Sequence, residues 1–506
     1  MNPVSIPSDL NKQSVSAVKW NSLGTAVRYA LQLGVQILLA RLLGPENIGL
    51  FTMGMVVLSF SNFFADAGFG WGLIQAKDIR EEDVRFAFTC QLLAGSLVSL
   101  GLYLLAPAVA SYFNEPRLAP VVRWLSLAAV ISAITAPASN LLRRKLDFRS
   151  INIIEVISYS VGYLVVGIPL AIYGAGVWSL VAAWLTQALC ALLLFFIRQP
   201  HSVKPLLWYD GAMALSGIGL TVFVTNICNW LLNNLDRAIL GRVLNAQAVG
   251  LYVVGYNLAN TPNGLLIGAL QPTFFVAGAR MQSDPDRMRR AYLSVIATVW
   301  IVIAPLFVLF AIIAYDLVGF LYGSAWQPSG TVLAILALSM PAYVTWGMST
   351  PILWNTGRKH FETLLQLPIL AAAGVAFYNV ADRGIVMFAV VAAGLLFARA
   401  VVITTAACRR LSIGPRDLVA FAIRGVAMVV LSAAATSAGV ELGRMAGATN
   451  LGAVSGGILL GCGVLITAPL IYPRLLGEAV IEMLARFSPS LPAIFAGLTR
   501  LGSKKG

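Results

Sequence analysis

From residue 18 onward the chain alternates long apolar runs with short polar punctuation. The runs are bounded by charges, proline or glycine and fall at about 18–42, 48–70, 86–112, 118–141, 152–173, 176–197, 212–241, 248–279, 291–315, 329–354, 363–381, 384–407, 418–440 and 450–472. A helix crossing a hydrocarbon layer of about 30 Å needs about 20 apolar residues, so the pattern predicts fourteen membrane-spanning helices. Strands of a membrane barrel alternate apolar and polar positions over about ten residues, whereas these runs are continuously apolar for longer. The first twelve residues are polar and lack the pattern of a cleaved leader, so the first run is expected to stay as a span.

Composition agrees. Of 506 residues, 58% are hydrophobic and only 11% charged, with a mean hydropathy of +0.82. A soluble domain carries about a quarter charged residues, and here there are too few to clothe a water-facing surface. The fold class expected is an all-α polytopic membrane protein. Cys90, Cys190, Cys228, Cys408 and Cys462 all lie in apolar runs with no CxxC spacing, which suits small packing residues. His201 and His360 sit in polar loops far from any cysteine. No metal or other cofactor is expected.

Charge fixes direction. Of the 35 lysines and arginines, 25 lie in loops on the side of the N-terminus. Seven lie opposite (Arg41, Arg117, Arg123, Arg237, Arg242, Arg383 and Arg444), and Arg28, Arg399 and Arg424 fall within spans. Cytoplasmic loops carry the basic excess, so both termini are expected in the cytoplasm. The same scatter over short loops accounts for the net charge of +14 through topology and anionic lipid. Nucleic acid is not an expected partner.

The chain also repeats itself. Residues Arg41–Met55 read RLLGPENIGLFTMGM and Arg242–Tyr256 read RVLNAQAVGLYVVGY; at an offset of 201, Arg41, Leu43, Gly49, Leu50 and Gly54 match Arg242, Leu244, Gly250, Leu251 and Gly255. A weaker echo sets Pro137, Arg144 and Lys145 opposite Pro351, Arg358 and Lys359. Six spans separate the copies, so both have one orientation, a parallel repeat about an axis along the membrane normal. The expected organisation is two six-helix lobes, residues 1–200 and 201–410, followed by a C-terminal helix pair and tail over 411–506. Such lobes enclose a cleft that opens to either face.

Polar residues within spans face protein or water, because lipid penalises them. In the first span Asn21, Thr25, Arg28, Gln32 and Gln36 form one stripe at helical spacing; Thr225, Asn229, Asn233 and Asp236 do so in the seventh. Ser59, Asn62 and Asp66 share a face of the second span, and Tyr252, Tyr256, Asn260 and Asn263 a face of the eighth. Two readings stand: interhelical hydrogen bonding or a hydrated path. Arg28, counted ten residues into the first span, falls near the membrane midplane. Its guanidinium suits a phosphate or carboxylate on a ligand, or else a salt bridge to Asp66, Glu155 or Asp236. Arg41, Arg237 and Arg242 sit toward the opposite ends, where they guide an anion or anchor helices. Asp66, Asp236 and Glu155 are the candidates for coupling or gating.

No GxxxxGK[ST], HExxH or GxSxG occurs, and the extramembrane loops are short. An enzyme is the weaker hypothesis. The stretches ARLLGPENIGLFTMG (Ala40–Gly54), FADAGFGWGLIQ (Phe64–Gln75) and NNLDRAILGRVLNAQAVGLYVVGYNLANTP (Asn233–Pro262) resemble the Wzx-type polysaccharide flippases of the multidrug/oligosaccharidyl-lipid/polysaccharide exporter superfamily. The likeness is to the colanic-acid and teichuronic-acid exporter branch; the run LQPTFFVAGARMQ (Leu270–Gln282) departs from it while keeping Pro272 and Arg280.

The resemblance implies alternating access and passage of undecaprenyl-diphosphate-linked oligosaccharide units across the bacterial inner membrane. It implies polysaccharide polymerase and co-polymerase as partner proteins and a proton or sodium gradient as the drive. In that setting Arg28 would meet the diphosphate, with Arg41, Arg237 and Arg242 as secondary cationic sites. Gln32, Asn62, Asn229, Asn233, Asn260 and Asn263 complete the expected substrate contacts. The rivals are a multidrug or organic-cation antiporter of the same superfamily, which calls for deep acidic residues that the first span lacks, and a membrane-embedded glycosyltransferase.

Overall fold

The computed structural model describes residues 8–66, 73, 79–209, 220–282, 284–356, 359–380, 382–445, 450–477 and 480–481. Helix dominates these residues and no strand occurs among them. The described residues of the predicted apolar runs fall almost wholly on helices, and among the described residues ten helices are long and apolar enough to cross a membrane. Their outward faces carry side chains that a water-soluble protein buries: Leu97, Leu104, Val165, Ile197, Val426, Leu459 and Ile466 are all more than 60% exposed. A contiguous apolar exterior of this kind has lipid as its solvent. This is a multi-pass membrane protein.

Helix α1 (Ser8–Asp66) joins the first two predicted spans through a kink at Gly44, whose φ of 74° only glycine adopts without strain. Pro45 then opens the second arm, where its missing N–H is no loss. Asn47 Nδ2 donates to the Leu43 carbonyl at 2.8 Å, satisfying an acceptor that the kink would strand. Next come α2 (Glu81–Tyr112), α3 (Leu118–Arg144), α4 (Phe148–Ile172), α5 (Val177–Arg198), α6 (Leu220–Val243) and α7 (Ala246–Arg280). Beyond these lie α8 (Pro285–Ile312), the short α9 (Ala314–Tyr322), α10 (Gln327–Asn355), α11 (Lys359–Asn379) and α12 (Gly384–Arg410). Helices α13 (Pro415–Met445) and α14 (Asn450–Ile471) end the series.

Both α4 and α8 widen into π turns, at Ser160–Gly167 and Val299–Ile303, just ahead of Pro169 and Pro305. A proline cannot donate to the carbonyl four residues back and its ring crowds it; the preceding turn opens to relieve this.

The chain divides into two compact units, Met1–Gly250 and Leu251–Gly506. In the first, Val35, Leu39 and Leu43 of α1 pack with Tyr159 and Tyr163 of α4 and with Leu180 and Ala183 of α5. Helix α6, placed by sequence in the second lobe, is tied to the second arm of α1 here by Trp230 Nε1 donating to Ser59 Oγ at 3.0 Å. In the second unit α10 is buried along most of its length. The C-terminal pair packs onto α8, with Ser432 Oγ donating to the Pro305 carbonyl at 2.9 Å. Glycines let α13 and α14 meet backbone to backbone at Gly439–Gly456 and Gly443–Gly452.

The duplicated glycines have a geometric consequence. A Cβ on Gly49 would overlap the Ala246 carbonyl, and one on Gly250 would overlap the Pro45 carbonyl. The repeat offset converts Pro45 into Ala246 and Gly49 into Gly250, so the crossing is the same contact made twice about a local two-fold. Gly54 in turn packs on Leu118, Val121 and Leu125 of α3, and Gly255 on Ser329 and Val332 of α10. Gly250→Val is expected to overpack this crossing and cost about 1–3 kcal/mol. Thermal unfolding of the purified variant checks it; an unchanged midpoint would show the crossing to be loose.

Candidate functional site

Arg28 leaves α1 in the middle of the face that meets α4. At 100° per residue, Val35 and Leu39 lie about 20° to either side of it, while Gln32 and Gln36 turn away by about 40° and 80°. Arg28 thus forms one edge of the predicted stripe. Arg28 points into the seam, and there its NH1 is ion-paired with Glu155 Oε2 of α4. The side chains are 31% and 28% exposed, and among the described residues Arg28 Nε has no hydrogen-bond partner. One turn away Asn152 fills the space over Gly24, its Nδ2 held by the Phe148 carbonyl at 2.8 Å.

The start of the helix differs from the one read from the apolar run. Helix α1 begins at Ser8, not near residue 18, so counting from the helix start misplaces Arg28. Measured back from the kink it lies about 24 Å away, and Glu155 is about 10 Å in from the start of α4, the end that carries the basic loop. Along α4 the pair lies nearer the Phe148 end, beside the basic loop, than the Ile172 end.

Arg242 is committed to a helix end. Its NH1 reaches the Ser111 and Tyr112 carbonyls at 3.1 and 2.6 Å and Asn114 Oδ1 at 3.0 Å, with the guanidinium 5.5 Å from the centre of the Tyr112 ring. It caps the carbonyl end of α2, where a cation meets the helix dipole. Of the two roles open to it, anchoring is the one seen. Nearby, Arg117 bridges Glu46 and Glu115 at 2.7 and 2.8 Å. Its hydrogen bond holds the Glu115 carboxyl below the usual range.

Arg237 NH1 donates to Asn234 Oδ1 at 3.1 Å, and its main-chain N–H to Asp236 Oδ1 at 2.8 Å, so Asp236 serves the local backbone. Arg41 is exposed, while Gln32, Asn229 and Asn233 are part-exposed. In the second unit Asn263 is completely buried and its Nδ2 lies 3.4 Å from Asn260 Oδ1. A ligand cannot touch Asn263 in this conformation, which corrects its assignment to a cleft wall. The side chains of Asn62 and Asp66, like those of Asn21, Thr25 and Thr225, lie outside the described residues.

Sequence reasoning missed a second polar centre. Arg399 of α12 and Glu362 of α11 are only 3% and 2% exposed. Glu362 accepts from Thr350 Oγ1 at 3.0 Å, Trp354 Nε1 at 2.7 Å and Gln366 Nε2 at 3.1 Å. Arg399 NH2 donates to Gln366 Oε1 at 2.7 Å, and its guanidinium lies 3.6 Å over the Trp346 ring. Opposite charges sealed from solvent beneath an aromatic ring hold helices together. The only sequence signal was an arginine inside a span.

Fold and site together define a multi-pass helical membrane protein with charged side chains inside its spans. A solved structure described as "Lipid II flippase MurJ, inward closed conformation" matches with a TM-score of 0.69 at 13% identity, covering 90% of this chain and 99% of that one. The family model described as "Polysaccharide biosynthesis protein" matches residues 38–331, and the chain belongs to that family. "Lipopolysaccharide biosynthesis protein WzxC" of Escherichia coli (strain K12) is 25% identical over 335 residues, 65% of this chain and 67% of its own. "Succinoglycan biosynthesis transport protein ExoT" of Rhizobium meliloti (strain 1021) is 25% identical over 341 residues, 67% and 69% of the two chains. The activities named among these relatives are transport and flipping, not catalysis.

Proposed function

We propose that this protein is a flippase moving undecaprenyl-diphosphate-linked oligosaccharide units from the cytoplasmic to the periplasmic leaflet of the bacterial inner membrane. The units would feed exopolysaccharide, O-antigen or capsule assembly, and a polymerase with its co-polymerase would receive them. The chain would cross fourteen times with both termini in the cytoplasm. Its two six-helix repeats would alternate access, driven by a proton or sodium gradient, with the C-terminal pair alongside.

The observation that carries this reading is Arg28. A permanent cation with a third of its side chain open, about 10 Å inside a span, is costly against hydrocarbon. Its open side therefore faces water or a polar ligand. A planar fork of N–H donors fits diphosphate oxygens, and its depth is within reach of a headgroup entering from the cytoplasmic leaflet. Gln32, Asn229 and Asn233, part-exposed amides, would take sugar hydroxyls.

Deleting the gene tests the reading. Complete lipid-linked units should accumulate on the cytoplasmic leaflet while surface polymer disappears. Truncated lipid-linked sugars would point instead to a glycosyltransferase, and hypersensitivity to cationic dyes with normal polymer to a drug antiporter.

A further inference from the structure

Two arginines lie within described spans together with a glutamate, and the pairs are built differently. Around Glu362 the acceptors are filled by Thr350, Trp354 and Gln366, and Arg399 is covered by Trp346. Glu155 has no such support: among the described residues its carboxylate is met by Arg28 alone. The Arg28 and Glu155 side chains stay about 30% open, whereas Arg399 and Glu362 are 3% and 2% exposed. A pair serving only to hold α1 to α4 has no need of this opening. The seam is already held on one side by Val35, Leu39, Tyr159 and Tyr163 and on the other by Asn152 over Gly24.

We propose that Glu155 is a built-in substitute for the ligand's anion, occupying Arg28 whenever the carrier is empty. This rests on the reading of Arg28 as the diphosphate contact. A carboxylate offers two oxygens and one charge to the guanidinium; a diphosphate offers more of both and displaces it. On release of the ligand Glu155 returns. The empty protein therefore changes conformation with its cation neutralised, avoiding the penalty of a bare charge within the membrane. Glu155 weakens ligand binding by competition and speeds the return of the empty carrier.

The test is titration of the purified full-length protein in detergent with undecaprenyl diphosphate, comparing wild type, Glu155→Gln, Glu155→Ala and Arg28→Ala. Thermal unfolding confirms that each is folded. Removing an internal competitor worth a partly exposed ion pair should tighten binding about fivefold in both Glu155 variants. In reconstituted vesicles the first turnover should be preserved and later turnovers slowed. Weaker or unchanged binding in both Glu155 variants, with Arg28→Ala also weakened, would overturn the proposal while leaving the diphosphate reading intact. Unchanged binding by Arg28→Ala would remove that reading, and the present proposal with it.

Discussion

Arg28→Ala abolishes polymer export while the protein accumulates in the membrane at its normal level. The guanidinium is the one permanent charge seen part-open inside the α1–α4 seam. Hydrogen bonds to a charged partner are worth about 1.5–3 kcal/mol, so losing them lowers ligand occupancy about 10- to 100-fold. The seam itself survives, because its aromatic cluster does not depend on the pair. Arg28→Lys restores little export, since an ammonium offers a point charge where a planar fork is required. Surface polymer measured against membrane protein level reads this directly; wild-type polymer from Arg28→Ala would reject the role.

Glu362→Ala should have the opposite signature, in which the fold fails before the function. Removing the carboxylate strips Thr350, Trp354 and Gln366 of their acceptor inside a sealed region. It also leaves Arg399, 3% exposed, without the balancing charge. Breaking a buried charged network costs about 3–5 kcal/mol. The purified variant is expected to unfold at a clearly lower temperature and to accumulate poorly, and Arg399→Ala to behave alike. A stable Glu362→Ala protein that no longer exports would instead assign this centre to transport.

The contrast between these sites was only partly legible in the sequence. Apolar runs of span length announced the helices, because the bilayer imposes one length on every crossing. The Gly44–Pro45 punctuation marked the kink in α1. The 201-residue offset found Gly49 and Gly250, whose reciprocal contact follows from glycine being the residue that lets two backbones touch. What pairs with Arg28 was open among three carboxylates, since Glu155 lies 127 residues away and nothing local selects it.

The start of α1 was misjudged because a helix continues past the end of its apolar run: polar residues from Ser8 onward extend α1 beyond the hydrophobic stretch. Asn263 was assigned to a ligand-facing wall on periodicity alone, which finds a shared face but not what covers it. The polar centre around Arg399 went unnoticed for the complementary reason. A single arginine in an apolar helix carries no pattern, and its neighbours Glu362 and Gln366 belong to another helix.

The most direct measurement is transbilayer movement in proteoliposomes holding only this protein, with an undecaprenyl-diphosphate-linked oligosaccharide in one leaflet. Protein-dependent arrival of the oligosaccharide in the opposite leaflet, lost in Arg28→Ala, is the predicted result. Vesicles that leave it where it started, yet carry organic cations across, would contradict the account.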